Sequence, residues 1–143
     1  MNIEYGECLK KGRIKEFSRG KEIAPAELQA AESDLKRAEK TFNDNDYKWT
    51  MVQLYYSMFH TARALLYNKN LREHSHYCLI QAIRCLYVEE NKLPFTFVEA
   101  LNDAKALRED ADYYNRWSKE ASEKFLKSAR EFLDCAKKIV LGE

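Results

Sequence analysis

The longest apolar run in the chain is Asp46 to Tyr67, DYKWTMVQLYYSMFHTARALLY, and it holds neither Gly nor Pro. At helical spacing Met51, Leu54, Tyr55, Met58, Ala62, Leu65 and Leu66 share one face. Val52, Tyr56, Phe59 and Tyr67 make a second, largely apolar face. A helix that is apolar nearly all round is normally buried on several sides. The pattern therefore predicts a central helix. Its Tyr56, Phe59, Arg63 side is left over for a second copy of the chain or for a cleft.

The flanking segments repeat apolar residues at the same period. Leu28, Ala31, Leu35, Ala38 and Phe42 predict an amphipathic helix over about residues 25 to 43, opened by Pro25. A proline suits the first helical position, because its missing N–H has no partner there. Asn43-Asp44-Asn45-Asp46 reads as a turn that also caps the central helix. Ser75 is a candidate N-cap for a helix of about 76 to 91, with Leu79, Ile80, Ile83, Leu86 and Tyr87 inward. Asn91 to Pro94 ends it. Phe97, Leu101, Ala104 and Ala111 mark a helix of about 95 to 114. Phe125, Ala129, Phe132, Leu133, Ala136 and Val140 mark a last one. No segment alternates at period two for long enough to read as a strand. Short connections favour antiparallel neighbours. The fold class is all-α: an up-and-down bundle of four main helices plus one or two additional short helices, in one domain over 1–143.

Composition refines this picture without changing it. At 143 residues and 45% hydrophobic the chain can bury a core of its own. A net charge of +1 excludes a global polyanion-binding signature. Charge is uneven, however. Over residues 1–21, Lys10, Lys11, Arg13, Lys15, Arg19 and Lys21 face only Glu4, Glu7 and Glu16, a local +3. This basic arm or short helix is read either as a solvated surface segment or as a contact to phosphates or an acidic partner. Cys8, Cys78, Cys85 and Cys135 show neither a CxxC pair nor disulfide-framework spacing, so reduced and mostly buried thiols are expected. Charges interrupt the N-terminus, unlike a secretory leader, and no run approaches the ~20 apolar residues of a membrane span. A cytoplasmic protein without membrane contact is expected.

Chemistry is sparse. Arg108 lies on the side of its helix that carries Leu101, Ala104 and Ala111. A long cation among core positions needs a partner. One reading is an ion pair with Asp112, one turn on; the other is an arginine held at a cleft or subunit seam to bind phosphate with its planar fork. His60 sits inside the central helix, and His74 and His76 bracket the start of the next. A hydrogen-bonded packing role suits His60, and capping or lining of a cleft suits His76. No metal site is expected. Tyr55, Tyr56, Phe59, Tyr113, Tyr114 and Trp117 could stack bases but stand mostly at core or interface positions; Tyr113 and Tyr114, at a helix end, are the better ligand contacts. No Gly-rich phosphate loop, GxSxG or HExxH occurs, and no cofactor is implied.

Three strings, YYSMFHTARALLY (Tyr55 to Tyr67), SHYCLIQAI (Ser75 to Ile83) and LREDADYY (Leu107 to Tyr114), resemble the HEPN domains of prokaryotes. They are most similar to the subgroup with a YYxMFHxARALL core and an RxxADY segment. KKGRIKEF (Lys10 to Phe17) is similar to leader segments there, so the resemblance spans about residues 9 to 140. It implies a helical bundle that forms a homodimer, often encoded beside a minimal nucleotidyltransferase in a toxin–antitoxin-like gene pair. Many members are metal-independent ribonucleases. Their site is an Arg followed by four to six residues and a His, contributed by both protomers at the dimer cleft. Here Arg108 is present, but the positions that would carry the His are Tyr113, Tyr114 and Asn115. A phenol with pKa near 10 is a poor base at neutral pH. The sequence therefore favours an accessory module that binds nucleotide or RNA phosphate through Arg108, Asp112, Tyr113 and Tyr114. An endoribonuclease toxin using Arg108 with His60 or His76, and a structural dimer with no ligand, remain open.

Overall fold

The computed structural model describes residues 2–114 and 118–142, and for 110–114 the backbone alone. Among the described residues the elements run α1 (Ile3–Lys10), β1 (Ile14–Glu16), α2 (Gly20–Asn43), α3 (Tyr47–Tyr67), β2 (Leu71–Glu73), α4 (His76–Ile83), a π-helical turn (Arg84–Val88), α5 (Phe95–Tyr114) and α6 (Lys119–Leu141). The all-α reading holds, with α2, α3, α5 and α6 as the main helices.

The central helix is α3. Asp46 caps it through a side-chain contact to the Trp49 N–H, and all seven residues of the expected core face are buried. It packs most extensively against α2, and small residues explain how closely. Ala24, Ala31 and Ala38 recur every seven residues on α2, and Thr50, Ser57 and Ala64 do so on α3; all six are fully buried. Without long side chains between them the backbones approach until the Ser57 hydroxyl donates to the Ala31 carbonyl at 2.8 Å. Thr41 meets Thr50 at 2.9 Å and His60 meets Glu27 at 2.6 Å, pairings that run in opposite order along the two helices and make them antiparallel. Helix α6 closes the bundle through Phe125, Ala129, Phe132, Leu133 and Ala136, all buried. Arg130 and Lys137 of α6 reach Glu39 and Glu32 of α2, so these two helices are antiparallel as well.

Four expectations are corrected. Helix α2 begins at Gly20 rather than Pro25, leaving the proline inside the helix. The added first turn packs closely: a Cβ on Gly20 would stand 2.4 Å from the Tyr67 carbonyl oxygen, so it fits only without a side chain. The helix expected to reach residue 91 is α-helical only to Ile83 and then widens into the π-turn. That turn holds Tyr87 in the core, where its hydroxyl donates to the Leu65 carbonyl at 2.6 Å. A short antiparallel ribbon exists where no strand was expected, pairing Ile14 with Glu73, Lys15 with Arg72 and Glu16 with Leu71. Three residues per strand are too few for a period of two to register in sequence. Finally, Cys8 and Cys78 form a disulfide across 70 residues, while Cys85 and Cys135 are free thiols. The pairing was invisible because it depends on α1 docking against α4.

Candidate functional site

The chemistry-bearing side chains collect along one side of α3, where α2, β2, α4 and α5 approach it. Arg108 of α5 is half-buried, and its guanidinium carbon lies 5.3 Å from the ring centre of Tyr55 and 5.2 Å from that of Tyr56. Both distances fall within reach of the cation–π attraction. Among the described residues no carboxylate lies within 4 Å of it. The expected alternative partner, Asp112, lies with Tyr113 and Tyr114 among residues whose side chains are outside the described part, as do Ala111, Asn115 and Trp117.

Tyr55 connects Arg108 to a histidine. Its ring is almost fully buried, and its hydroxyl makes a short hydrogen bond to His76 Nδ1. Burial pushes the Tyr55 phenol up to about 12; the Arg108 charge opposes this, and Tyr56 and Glu109 reinforce it. The phenol therefore keeps its proton at neutral pH. His76 stands at the first position of α4, fixed there by the Ser75 hydroxyl, which accepts from the Cys78 N–H at 3.1 Å. Burial holds the His76 imidazole below its ordinary range, aided by the charges of Lys105, Arg108 and Arg63 and opposed by Glu73. His76 is thus neutral at pH 7, beside two cations one turn apart on α5.

Phe59 continues the cluster. Its ring centre is 4.5 Å from that of His76, and the Arg63 guanidinium carbon stands 4.4 Å from it on α3. Arg63 donates twice to Glu73 Oε2, at 3.1 and 2.7 Å. The other carboxylate oxygen of Glu73, buried beside β1, has no partner among the described residues. Arg63 is therefore engaged within the protomer. Phe59 is 7% exposed, whereas Tyr56 is 36% exposed and remains at the surface. Of the side set aside for a cleft or second protomer, Tyr56 keeps the most open face.

His60 borders the cluster, its ring edge-on to Phe59 at 5.8 Å, but its nitrogens face α2. Its Nδ1 lies 2.6 Å from Glu27 Oε2 and its Nε2 3.7 Å from Asp34 Oδ2, so α2 holds both ring nitrogens. This is the packing role that sequence favoured for it. His74 is exposed, and its backbone N–H donates to the Arg13 carbonyl beside the ribbon. No metal-holding group of three His, Cys, Asp or Glu residues occurs among the described residues.

The structure brings together Arg108, His76, Tyr56, Phe59 and Arg63 from the expected set, while His60, edge-on to Phe59, turns its ring nitrogens to α2. It adds Lys105, which sequence reasoning missed, and gives Tyr55, read there as a core or interface aromatic, a hydroxyl contact to His76. Tyr55 read as core because it is core; only the fold shows that its hydroxyl reaches α4. Lys105 lies three residues before Arg108, a spacing that helical periodicity could have flagged.

A family model described as HEPN domain matches residues 25–139 of the chain. Two proteins of Methanocaldococcus jannaschii that carry the name "putative toxin" are similar. One is 28% identical over 118 residues, covering 81% of this chain and 80% of the relative. The other is 29% identical over 119 residues, covering 82% and 89%. A protein of Archaeoglobus fulgidus named as a UPF0332 protein is 34% identical over 116 residues, covering 79% and 91%.

Proposed function

The chain belongs to the HEPN domain family, and from that premise we propose that it serves a toxin-type system as a module that binds the phosphates of RNA or of a nucleotide at Arg108. The observation that carries this reading is the state of Arg108. Its guanidinium rests on two tyrosine rings, without a carboxylate partner among the described residues, and a second cation, Lys105, belongs to the same helix. A planar guanidinium preset on aromatic rings offers a phosphate a bidentate contact. Tyr56, partly open on the same arginine, offers a face for a base.

His76 decides between binding and cleavage. A protonated Tyr55 hydroxyl that donates to Nδ1 leaves the imidazole proton on Nε2. In that tautomer Nε2 donates to a phosphate oxygen and does not accept a proton from a 2′-hydroxyl. This tautomer supports the binding reading. A second reading, metal-independent RNA cleavage, draws on the closeness of His76 to Arg108 through Tyr55 and on the toxin names of the two relatives. It requires the opposite tautomer, with Nε2 free as the base.

Further parts of the proposal rest on the family resemblance: a homodimer with the open Tyr56 side at its cleft, a minimal nucleotidyltransferase as protein partner, and a cytoplasmic location. No helix among the described residues is long and apolar enough to cross a membrane.

The test incubates the purified protein with mixed single-stranded RNA in EDTA and reads complex formation and strand cleavage on the same samples. The binding reading expects complex without cleavage, and loss of complex in Arg108→Ala. Cleavage lost in both Arg108→Ala and His76→Ala replaces it with the ribonuclease reading. Neither complex nor cleavage overturns both.

A further inference from the structure

We infer that the Cys8–Cys78 disulfide is a thiol-exchange site, open to a small dithiol reductant, and that its reduction releases α1 from the body of the protein. The bond joins α1 to the first turn of α4 across 70 residues of chain. Little else holds α1. Of its eight residues Cys8 alone is buried, and Ile3 and Leu9 are 77% and 46% exposed. Tyr5 packs only partly against the core, and the buried N-cap Asn2 ties down the N-terminal end through a side-chain hydrogen bond to Glu89 at 2.9 Å and a backbone hydrogen bond to the Cys85 thiol. Helices shorter than ~12–15 residues are marginal in water without packing. The covalent bond therefore carries the docking of α1.

The bond is also approachable. A surface groove of about 480 Å³ has both cysteines in its wall, with Glu4, Glu7, Lys11, Arg13 and Tyr77 around them. The cysteines themselves are 2% and 4% exposed, so the bond lies in the wall of the groove rather than open to bulk solvent. One thiolate of the dithiol attacks one Sγ, forming a mixed disulfide and expelling the other cysteine as a thiolate. Lys11 and Arg13 in the groove wall favour that anion and Glu4 and Glu7 oppose it. The second thiolate of the reductant then displaces the remaining protein sulfur. Two electrons and two protons pass to the protein: the reductant ends as a cyclic disulfide, and both cysteines end as thiols. The first turn of α4, braced by Cys78, begins at His76, so release of α1 also frees the turn that positions that imidazole. The release of α1 itself does not depend on the phosphate-binding reading.

Hydrogen–deuterium exchange on the intact chain, oxidised and after dithiothreitol, tests this. Alkylation counts thiols alongside, from the two free cysteines of the oxidised form. Full reduction is expected to speed exchange in α1 by at least ~10-fold while α2 and α3 keep their protection. Reoxidation restores α1. Cys8→Ser reproduces the reduced pattern without reductant, and Cys135→Ser behaves as the parent. Unchanged protection of α1 after alkylation proves reduction overturns the inference. So does a bond that resists dithiothreitol until the protein is denatured, or uniform loss of protection throughout the chain.

Discussion

Arg108, Tyr55 and His76 form a chain of contacts, the Arg108 guanidinium over the Tyr55 ring and the Tyr55 hydroxyl against His76 Nδ1. The Tyr55 phenol, at about 12 in the folded chain against 10.0 in the open chain, stabilises the fold below pH 10. As pH rises from 10 towards 12 the unfolded phenol ionises first, so that contribution is lost. Two units correspond to roughly 2–3 kcal/mol. Thermal melts between pH 9 and 12 should therefore fall steeply for the parent and less steeply for Tyr55→Phe. His76 acts at the other end of the scale. Its folded imidazole lies below the usual value of 6.5, so its contribution is complete above that pH. It is lost as pH falls below 6.5, where the unfolded chain takes up the proton first. His76→Gln should flatten this part of the acid limb, checked by melts from pH 7 to pH 4.5. An unchanged acid limb in the variant would remove His76 from the cluster.

At the scale of elements, the bundle depends on the small-residue seam between α2 and α3. Ala31 has no exposed surface, and its carbonyl accepts from Ser57, so added methylenes have nowhere to go. Ala31→Leu should cost about 1–3 kcal/mol by overpacking, read as a lower denaturant midpoint. Leu35→Met, a volume-conserving change at a buried position of the same helix, should cost less than about 1.5 kcal/mol. Sequence conveyed these helices well because each carries a long stripe at period 3.6. It conveyed poorly what depends on contacts distant in the chain. The three-residue strands take their identity from each other, Gly20 from the Tyr67 carbonyl, and the disulfide from the meeting of α1 and α4. The site was half legible for the same reason. Arg108 stood out as a cation among core positions, while Tyr55 looked like any other buried aromatic until its hydroxyl was found against His76.

For the molecule as a whole, a net charge of +1 means that no broad positive field draws in nucleic acid. Binding must then rest on the few cations at the site. With Lys105 and Arg108 each neutralising one phosphate, the logarithm of affinity for single-stranded RNA should fall with the logarithm of salt at a slope near −1.4. A much steeper slope would point to the basic segment at residues 10–21 as a second contact. Light scattering should give twice the mass of the 16.9 kDa chain if the open Tyr56 side lies at a dimer cleft, and a monomer mass would remove that cleft from the account. The central claim is that Arg108 binds phosphate, and the most direct measurement is the affinity for a short single-stranded RNA in EDTA, by fluorescence anisotropy, for the parent and Arg108→Ala with melting temperatures matched. Loss of a charged hydrogen-bonding group predicts a roughly 10–100-fold weaker complex for the variant. Equal affinities in two equally folded proteins would contradict the account.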